Sequence, residues 1–286
     1  MADALTLADV GEQSLPAART FLETHVETSL FLLSNIRAFG TRLGESLYSG
    51  NVKCFRDNSG IKAVFCLTRG GSLLAQTAGD ARLAHPILEA VRAEHIPVRG
   101  VLGEWTITRA ICDELQRAGW RPSLASKEIL YRLTLSHARL RGDRNTTVKL
   151  LTGEDEVQWE ELTTAFVKEE RLPLQGTEEQ RKAAFLRSCR LNHWWGAWDG
   201  DLIVSLAGIT ALHERTAQLG GVFTRPAYRR RGLNRAVLER LITDARDHQG
   251  LSRLFLFTGE DNVAARQMYE SLGFERFGYF GLFFGD

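Results

Sequence analysis

The sequence predicts an α/β protein built as two domains, and three observations carry that expectation. A chain of 286 residues, 44% hydrophobic and 25% charged, has the composition of an ordinary globular protein and room for two cores. The same succession recurs in both halves. In the first it is a helix over Ala81 to Glu94, an apolar strand over Ile96 to Leu102, a helix over Thr106 to Ala118 closed by Gly119-Trp120, and a strand over Lys127 to Leu135. In the second it is a helix after Gly232, the strand Leu254 to Phe257, and a helix after Asn262 closed by Gly273-Phe274. Between them Ser136 to Thr147, with His137, Arg139, Arg141, Gly142, Asp143 and Arg144, has no apolar period and reads as a linker, which sets the domains at 1–140 and 146–286.

The remaining elements follow from local pattern. Phe21 to Gly40, with Leu30, Phe31, Leu32, Leu33, Ile36 and Phe39, supplies opening helices. Arg56-Asp-Asn-Ser-Gly60 turns a hairpin between Val52 to Phe55 and Ile61 to Leu67. After the linker, Val148 to Leu151 is a short strand. Thr152-Gly-Glu-Asp155 then leads into a helix through Lys168, and a second helix covers Glu178 to Cys189. Trp194 to Trp198, the turn Asp199-Gly-Asp201 and Leu202 to Thr210 form another hairpin.

Charge and cysteine usage narrow the function. A formal net charge of +1 gives no general drive towards nucleic acid or an anionic membrane, although Arg225, Arg229, Arg230, Arg231 and Arg235 make a local patch suited to a compact polyanion. Cys54, Cys66, Cys112 and Cys189 are scattered without metal spacing and read as free thiols, so no metal is expected. Met1 to Val10 contains Asp3 and Asp9 and lacks a basic start followed by an apolar core, and no segment could span a bilayer. A cytoplasmic location and no membrane partner are the expectation.

The chemistry concentrates in Val222-Phe-Thr-Arg-Pro-Ala-Tyr-Arg-Arg-Arg-Gly232-Leu-Asn-Arg235. Leu233, Ala236, Val237, Leu241 and Ala245 then fall on one helical face, so the helix starts beside the arginines and its first N–H groups and positive dipole end favour an anion. Gly232 lets a ligand approach the main chain, and Arg229, Arg230 and Arg231 can bond phosphate oxygens. Downstream, Asn262, Ala265 and Tyr269 share a helical face. Asp261 or Asn262 can cap that helix and Gly273 can end it.

Strand, arginine-glycine turn, helix, strand and Asn-x-x-Ala-x-x-x-Tyr-x-x-x-Gly-Phe, in that order over Val148 to Phe284, resembles the acetyl-CoA site of the GNAT superfamily of N-acetyltransferases. The resemblance implies a mixed central sheet flanked by helices in each of two tandem domains, with acetyl-CoA as cosubstrate and an amine as acceptor. It implies that Gln218 to Thr224 and Arg253 to Thr258 splay apart. Main-chain groups of Val222, Phe223 and Thr224 would then pair with the pantetheine arm, with an N–H near Phe223 facing the oxyanion. Arg229, Arg230, Arg231, Gly232, Leu233, Asn234 and Arg235 would hold the diphosphate, and Asn262 would bond the pantetheine or a site water. Tyr269, with a reference pKa of about 10 against about 8.5 for a thiol, is the expected general acid. Asn234 stands where the family carries a tiny residue, and could crowd the diphosphate or donate to it.

Sliding Gly119-Trp120 onto Gly273-Phe274 puts Thr108 in the place of Asn262 and Leu115 in that of Tyr269. Gln76 to Asp80 has no cradle, so the first domain is expected to be a degenerate copy without a cofactor site. No general base stands out. The family's glutamate positions fall on Gln218 and Phe257, and Glu214, two alternations upstream of Gln218, and His213 are the nearest substitutes. Glu169 or Glu170 could attract a cationic acceptor. Trp194, Trp195 and Trp198 either wall its pocket or pack between the domains. The expected function is transfer of an acetyl group to a primary amine of a small molecule or protein. A non-catalytic acyl-CoA sensor is the alternative, a nucleic-acid or charged transfer-RNA surface the third reading, and whether two chains form a homodimer stays open.

Overall fold

Residues 4–142 and 146–285 are described by the computed structural model. Met1, Asp3, Asp143, Arg144 and Asp286, which entered the reading of the termini and linker, lie outside them. The chain divides into two compact units, Met1–Leu130 with Gly278–Asp286, and Tyr131–Phe277. Residues 131–140 and the last nine residues thus group differently from the sequence-based boundaries of 1–140 and 146–286.

The first unit contains β1 (Thr6–Asp9), α1 (Leu15–Thr24), α2 (Val26–Phe39), β2 (Gly50–Asp57), β3 (Gly60–Thr68), β4 (Ser72–Gln76), α3 (Ala84–Arg92), β5 (Gly100–Glu104), α4 (Trp105–Arg117) and most of β6 (Pro122–Thr134). The β2–β3 turn closes where Asp57 Oδ1 accepts from the Ser59 N–H at 2.8 Å and Gly60 takes φ +123°. β3 lies in mid-sheet and buries six consecutive residues. Its Phe65 and Leu67 pack with Leu73, Ile87, Val101 and Ile107 into the unit's core. Ile96 to Arg99, expected as strand, stays outside β5; Pro97 has no N–H to give a ladder.

The second unit contains β7 (Thr147–Leu150), α5 (Glu156–Glu169), α6 (Glu178–Arg190), β8 (Trp194–Asp199), β9 (Leu202–His213), β10 (Thr216–Thr224), α7 (Leu233–Asp247), β11 (Arg253–Gly259), α8 (Val263–Ser271) and the start of β12 (Glu275–Gly285). α6 opens with a capping box, the Thr177 hydroxyl accepting from the Gln180 N–H at 3.3 Å and the Gln180 amide from the Thr177 N–H at 2.9 Å.

Each unit has a mixed sheet. In the first the order is β1-β2-β3-β4-β5-β12, antiparallel except for β4 beside β5, which α3 connects as a parallel crossover. In the second it is β11-β10-β9-β8-β7, with β10 and β11 parallel and α7 as the crossover.

Trp194, with Trp198 packed against it, belongs to a core cluster of the second unit. Trp194 stacks edge-on against Trp159 with ring centroids 5.6 Å apart, and Phe185 lies in the same cluster. Trp195 donates its Nε1–H to Asp244 of α7 at 2.8 Å. Cys54, Cys66 and Cys112 are buried free thiols, and burial pushes Cys66 and Cys112 up to about 12. Among the described residues no helix is long and apolar enough to cross a membrane, and no cluster of three or more His, Cys, Asp or Glu could hold a metal ion.

Candidate functional site

The site begins with a kink in β10. β9 and β10 slip register between Gly220 and Phe223, and Gly221 takes φ +59°. Trp194 enforces the small residues there, since a Cβ on Gly208 or on Gly221 would come within 2.6 Å of its ring. A bulge of this kind bends a strand and increases its twist. Accordingly β10 and β11 pair only from Thr216↔Arg253 to Gln218↔Phe255. Beyond that the β10–β11 ladder stops, and the two strands part as a slot between Leu219–Thr224 and Leu256–Gly259.

Beyond β10 the chain turns through Pro226–Tyr228 into two left-handed residues, Arg230 at φ +62° and Gly232 at φ +79°. A left-handed residue followed by right-handed helical ones, as at Gly232 and Leu233, turns successive N–H groups towards a common concave side, a nest for anions. Gly232 is the N-cap of α7 and supplies no side-chain acceptor, and the space where its Cβ would lie is empty to 4 Å. The positive dipole end of a 15-residue helix therefore faces an open concavity.

Three of the four arginines read as phosphate ligands have other work. Arg229 donates from Nε to the Thr224 carbonyl at 3.1 Å, pairs with Glu169 at 2.6 Å and lies over the Phe223 ring. Arg231 bonds the Ala227 carbonyl at 3.2 Å and covers Tyr228. Arg235 pairs with Glu239 at 2.7 Å, donates to Ser271 Oγ at 2.6 Å and reaches the Arg139 carbonyl at 3.1 Å. These side chains hold the turn and its surroundings in shape, and the nest itself is backbone. Arg230 has no such bond or ring contact among the described residues, and Leu233 is half-buried in the first turn of α7.

The Asn234 side chain is anchored through its oxygen. Its Oδ1 accepts from Ser205 Oγ at 2.8 Å, and the same hydroxyl lies 2.8 Å from Thr224 Oγ1 and 3.1 Å from the Phe223 carbonyl. The amide is drawn down onto β9. Of the slot residues, Val222 is half-buried and Phe223 and Thr224 are buried.

Tyr269 is 5% exposed, with Tyr131 and Phe274 rings at 6.2 and 5.8 Å. Burial pushes its phenol well above the ordinary value, and the neighbouring Glu170 carboxylate adds to the rise. Asn262 caps α8, Oδ1 accepting from the Ala265 N–H at 3.2 Å. Sequence reasoning paired Glu169 and Glu170. Here Glu169 is bound to Arg229, whereas Glu170 acts on the phenol.

The substitutes for a general base fare differently. Glu214 sits at φ +48° in the two-residue turn between the paired His213 and Thr216, so it does not share a strand face with Gln218. Gln218 is buried and Phe257 half-buried, and neither ionises. His213 is buried at the end of β9.

Sequence reasoning missed Ser205 and Glu239. Both interrupt apolar runs, one in β9 and one on the buried face of α7, and a polar residue in such a place needs a partner. Glu239, 6% exposed, accepts from the N–H groups of Arg141 at 3.1 Å and Gly142 at 2.9 Å. A cavity of about 210 Å³ lies against it, lined by Arg141, Gly142, Gly232, Arg235, Ala236 and Glu239.

The first unit has no counterpart of the slot. β4 and β5 have only five residues each and pair from Ser72↔Gly100 to Ala75↔Gly103, after which β5 runs directly into α4. Glu104 caps α4, accepting from the Thr106 and Ile107 N–H groups at 2.9 and 3.2 Å, so Thr108 lies inside the helix and not at its start as the sequence alignment placed it. Leu115 packs against the core. Where a nest would lie, Asp80 accepts from the Arg82 N–H at 3.0 Å and pairs with the Arg82 side chain.

Residues 157–274 match the acetyltransferase (GNAT) family. The chain is 35% identical over 108 residues to a mycothiol acetyltransferase of Salinispora tropica, covering 34% of this chain and 35% of that one. It is 34% identical over 90 residues to the N-alpha-acetyltransferase RimI of Mycobacterium tuberculosis, covering 30% of this chain and 54% of that one. The chain thus spans about a third to a half of the length of these relatives. Across nearly the whole chain the fold is similar to a GCN5-related N-acetyltransferase from Sphaerobacter thermophilus, with a TM-score of 0.65 at 15% identity over 98% of this chain and 94% of that one. It is also similar to a tandem GNAT protein from the clavulanic acid biosynthesis pathway, with a TM-score of 0.57 at 12% identity over 99% and 98%. Slot, nest and matched segment lie together in the second unit: residues 157–274 form a GNAT acetyltransferase domain, and the fold of the whole chain is similar to that of a tandem GNAT protein.

Proposed function

We propose that the second unit transfers an acetyl group from acetyl-CoA to a primary amine of a small molecule or protein, and that the first unit binds no cofactor. The observation that carries this is the parting of β10 from β11 after Gln218 and Phe255, leading directly to the Arg230–Gly232 nest. The space between two parting strands suits the amide-bearing pantetheine arm, and a backbone nest at a helix start suits the diphosphate. The open space at Gly232 leaves room for close approach.

Within this proposal each residue has a task. Val222, Phe223 and Thr224 line the arm, and Arg230, Gly232 and the first turn of α7 bind the diphosphate. Arg229, Arg231, Asn234 and Arg235 keep that turn in place through their bonds to Thr224, Ala227, Ser205 and Glu239. Asn262 fixes the start of α8, which carries Tyr269. A phenol whose ionisation is held back by burial stays protonated at neutral pH and has a proton to give to a departing thiolate. Glu170, the carboxylate that acts on this phenol, is suited to draw in a cationic amine and to take its proton.

The lack of an ionisable side chain at Gln218 and Phe257 favours a second reading, an acyl-CoA sensor without turnover. Thiol release from acetyl-CoA across a panel of amines, beside calorimetry with coenzyme A, separates the two. Acceptor-dependent release that falls in Tyr269→Phe while binding persists supports the transferase. Binding without release supports the sensor, and absence of binding defeats both.

A further inference from the structure

We propose that residues 139–142 are part of the cofactor site, with Arg141 reading the 3′-phosphate of coenzyme A. This rests on the reading that the second unit binds that cofactor.

The cavity of about 210 Å³ has the nest residue Gly232 on one side and Arg141 and Gly142 on the other. Its size is below the roughly 300–1,000 Å³ of pockets that engulf a whole drug-sized ligand, so it suits one end of an extended molecule whose remainder lies in the slot and nest. The linker does not reach this place by chance packing. Its two N–H groups are both bonded to the buried Glu239 carboxylate, at 3.1 and 2.9 Å. Arg235 pairs with that carboxylate at 2.7 Å while holding the Arg139 carbonyl two residues upstream. The backbone is thus tied inward from 139 to 142, and the Arg141 side chain is exposed with no ion pair or ring contact among the described residues.

Charge selects the ligand. Arg235 and Glu239 neutralise one another, which leaves the Arg141 guanidinium on the rim and Arg230 in the adjoining nest as cations without a counter-charge. Next to its diphosphate, coenzyme A carries a further phosphate on the ribose, a compact dianion with three oxygens that a guanidinium fork can engage at two points. An acetylated thiol or pantetheine amide offers this cavity no such group.

Calorimetry on the full chain with coenzyme A and with dephospho-coenzyme A, at one fixed ionic strength, tests the assignment. The wild type is expected to bind coenzyme A about tenfold more tightly, the scale of one exposed charge-assisted contact. Arg141→Ala is expected to bring coenzyme A down to the dephospho level without moving the latter, and Arg141→Lys to keep part of the preference. A wild type indifferent to the 3′-phosphate, or an Arg141→Ala protein that keeps its preference, overturns the role of Arg141 and leaves the cofactor reading standing. Binding of neither compound by the wild type overturns the cofactor reading and the linker site with it.

Discussion

Replacing Asn234 by alanine asks whether its amide serves the fold or the ligand. Ser205 Oγ stands 2.8 Å from Asn234 Oδ1, 3.1 Å from the Phe223 carbonyl and 2.8 Å from Thr224 Oγ1. One hydroxyl has a single proton, so Thr224 donates to Ser205, and Ser205 shares its proton between Asn234 and Phe223. Without the amide, that proton still has the Phe223 carbonyl, and no buried donor is stranded. The loss is then one ordinary hydrogen bond of about 1 kcal/mol, partly offset by up to about 0.5 kcal/mol from the better helix propensity of alanine. Ser205→Ala is worse, about 1–3 kcal/mol, since it leaves the buried Thr224 hydroxyl to find another acceptor. The double mutant should show a coupling of about 1 kcal/mol. Urea unfolding followed by tryptophan emission reads all three, and calorimetry should find coenzyme A affinity in Asn234→Ala within about twofold of wild type. Unchanged stability together with tenfold weaker binding would refute the geometry, because the amide would then be spending its bond on phosphate.

Tyr269→Phe should lower acceptor-dependent thiol release by about 10²–10⁴-fold with coenzyme A affinity intact. The folded phenol titrates above its ordinary value, so the wild-type rate should stay level as pH rises to about 10; a fall through pH 8–9 in proportion to one deprotonation that persists in Tyr269→Phe would assign the acid elsewhere. His193 is held down to about 4 by burial, below its unfolded value of about 6.5. Its contribution is therefore complete above pH 6.5 and lost as pH falls towards 4, about 1–3 kcal/mol in all. His193→Gln should flatten that part of the difference in urea midpoints between pH 7 and pH 4.5, and an unchanged difference would show the ring to be solvated. Gly208→Ala forces a methyl within 2.6 Å of the Trp194 ring and should cost about 1–3 kcal/mol by the same unfolding assay; a neutral result would mean that Trp194 is free to move.

Periodicity made the second unit legible element by element. The helices over Glu178–Arg190 and Leu233–Asp247, the hairpin of β8 and β9, and the cap at Asn262 all follow local pattern and capping rules that act within a few residues. What sequence could not convey was the direction of long side chains. Arg229 and Arg235 read as phosphate ligands because arginines beside a helix start can serve that purpose, yet Glu169 and Ser271 are brought near only by the fold, while Glu239, at i+4 on the same helix, was within reach of sequence reasoning. Glu214 failed for a smaller reason, since a two-residue turn begins one position before the expected strand ends its alternation. The expectation that the first unit lacks a cofactor site rested on the side chains at Thr108 and Leu115. That β4 and β5 are strands of five residues pairing almost to their ends was not legible, because strand ends are decided by neighbours distant in sequence.

β12 starts in the second unit and finishes in the first, where Phe280 to Phe284 form the ladder with Glu104 to Gly100. A nascent N-terminal unit lacks this ladder until residues 280–284 have emerged, and until then β5 presents a bare edge able to recruit foreign strands. Severing the gene near residue 140 would yield an N-terminal fragment deprived of that ladder, prone to aggregate, and rescued by supplying a peptide of the last dozen residues.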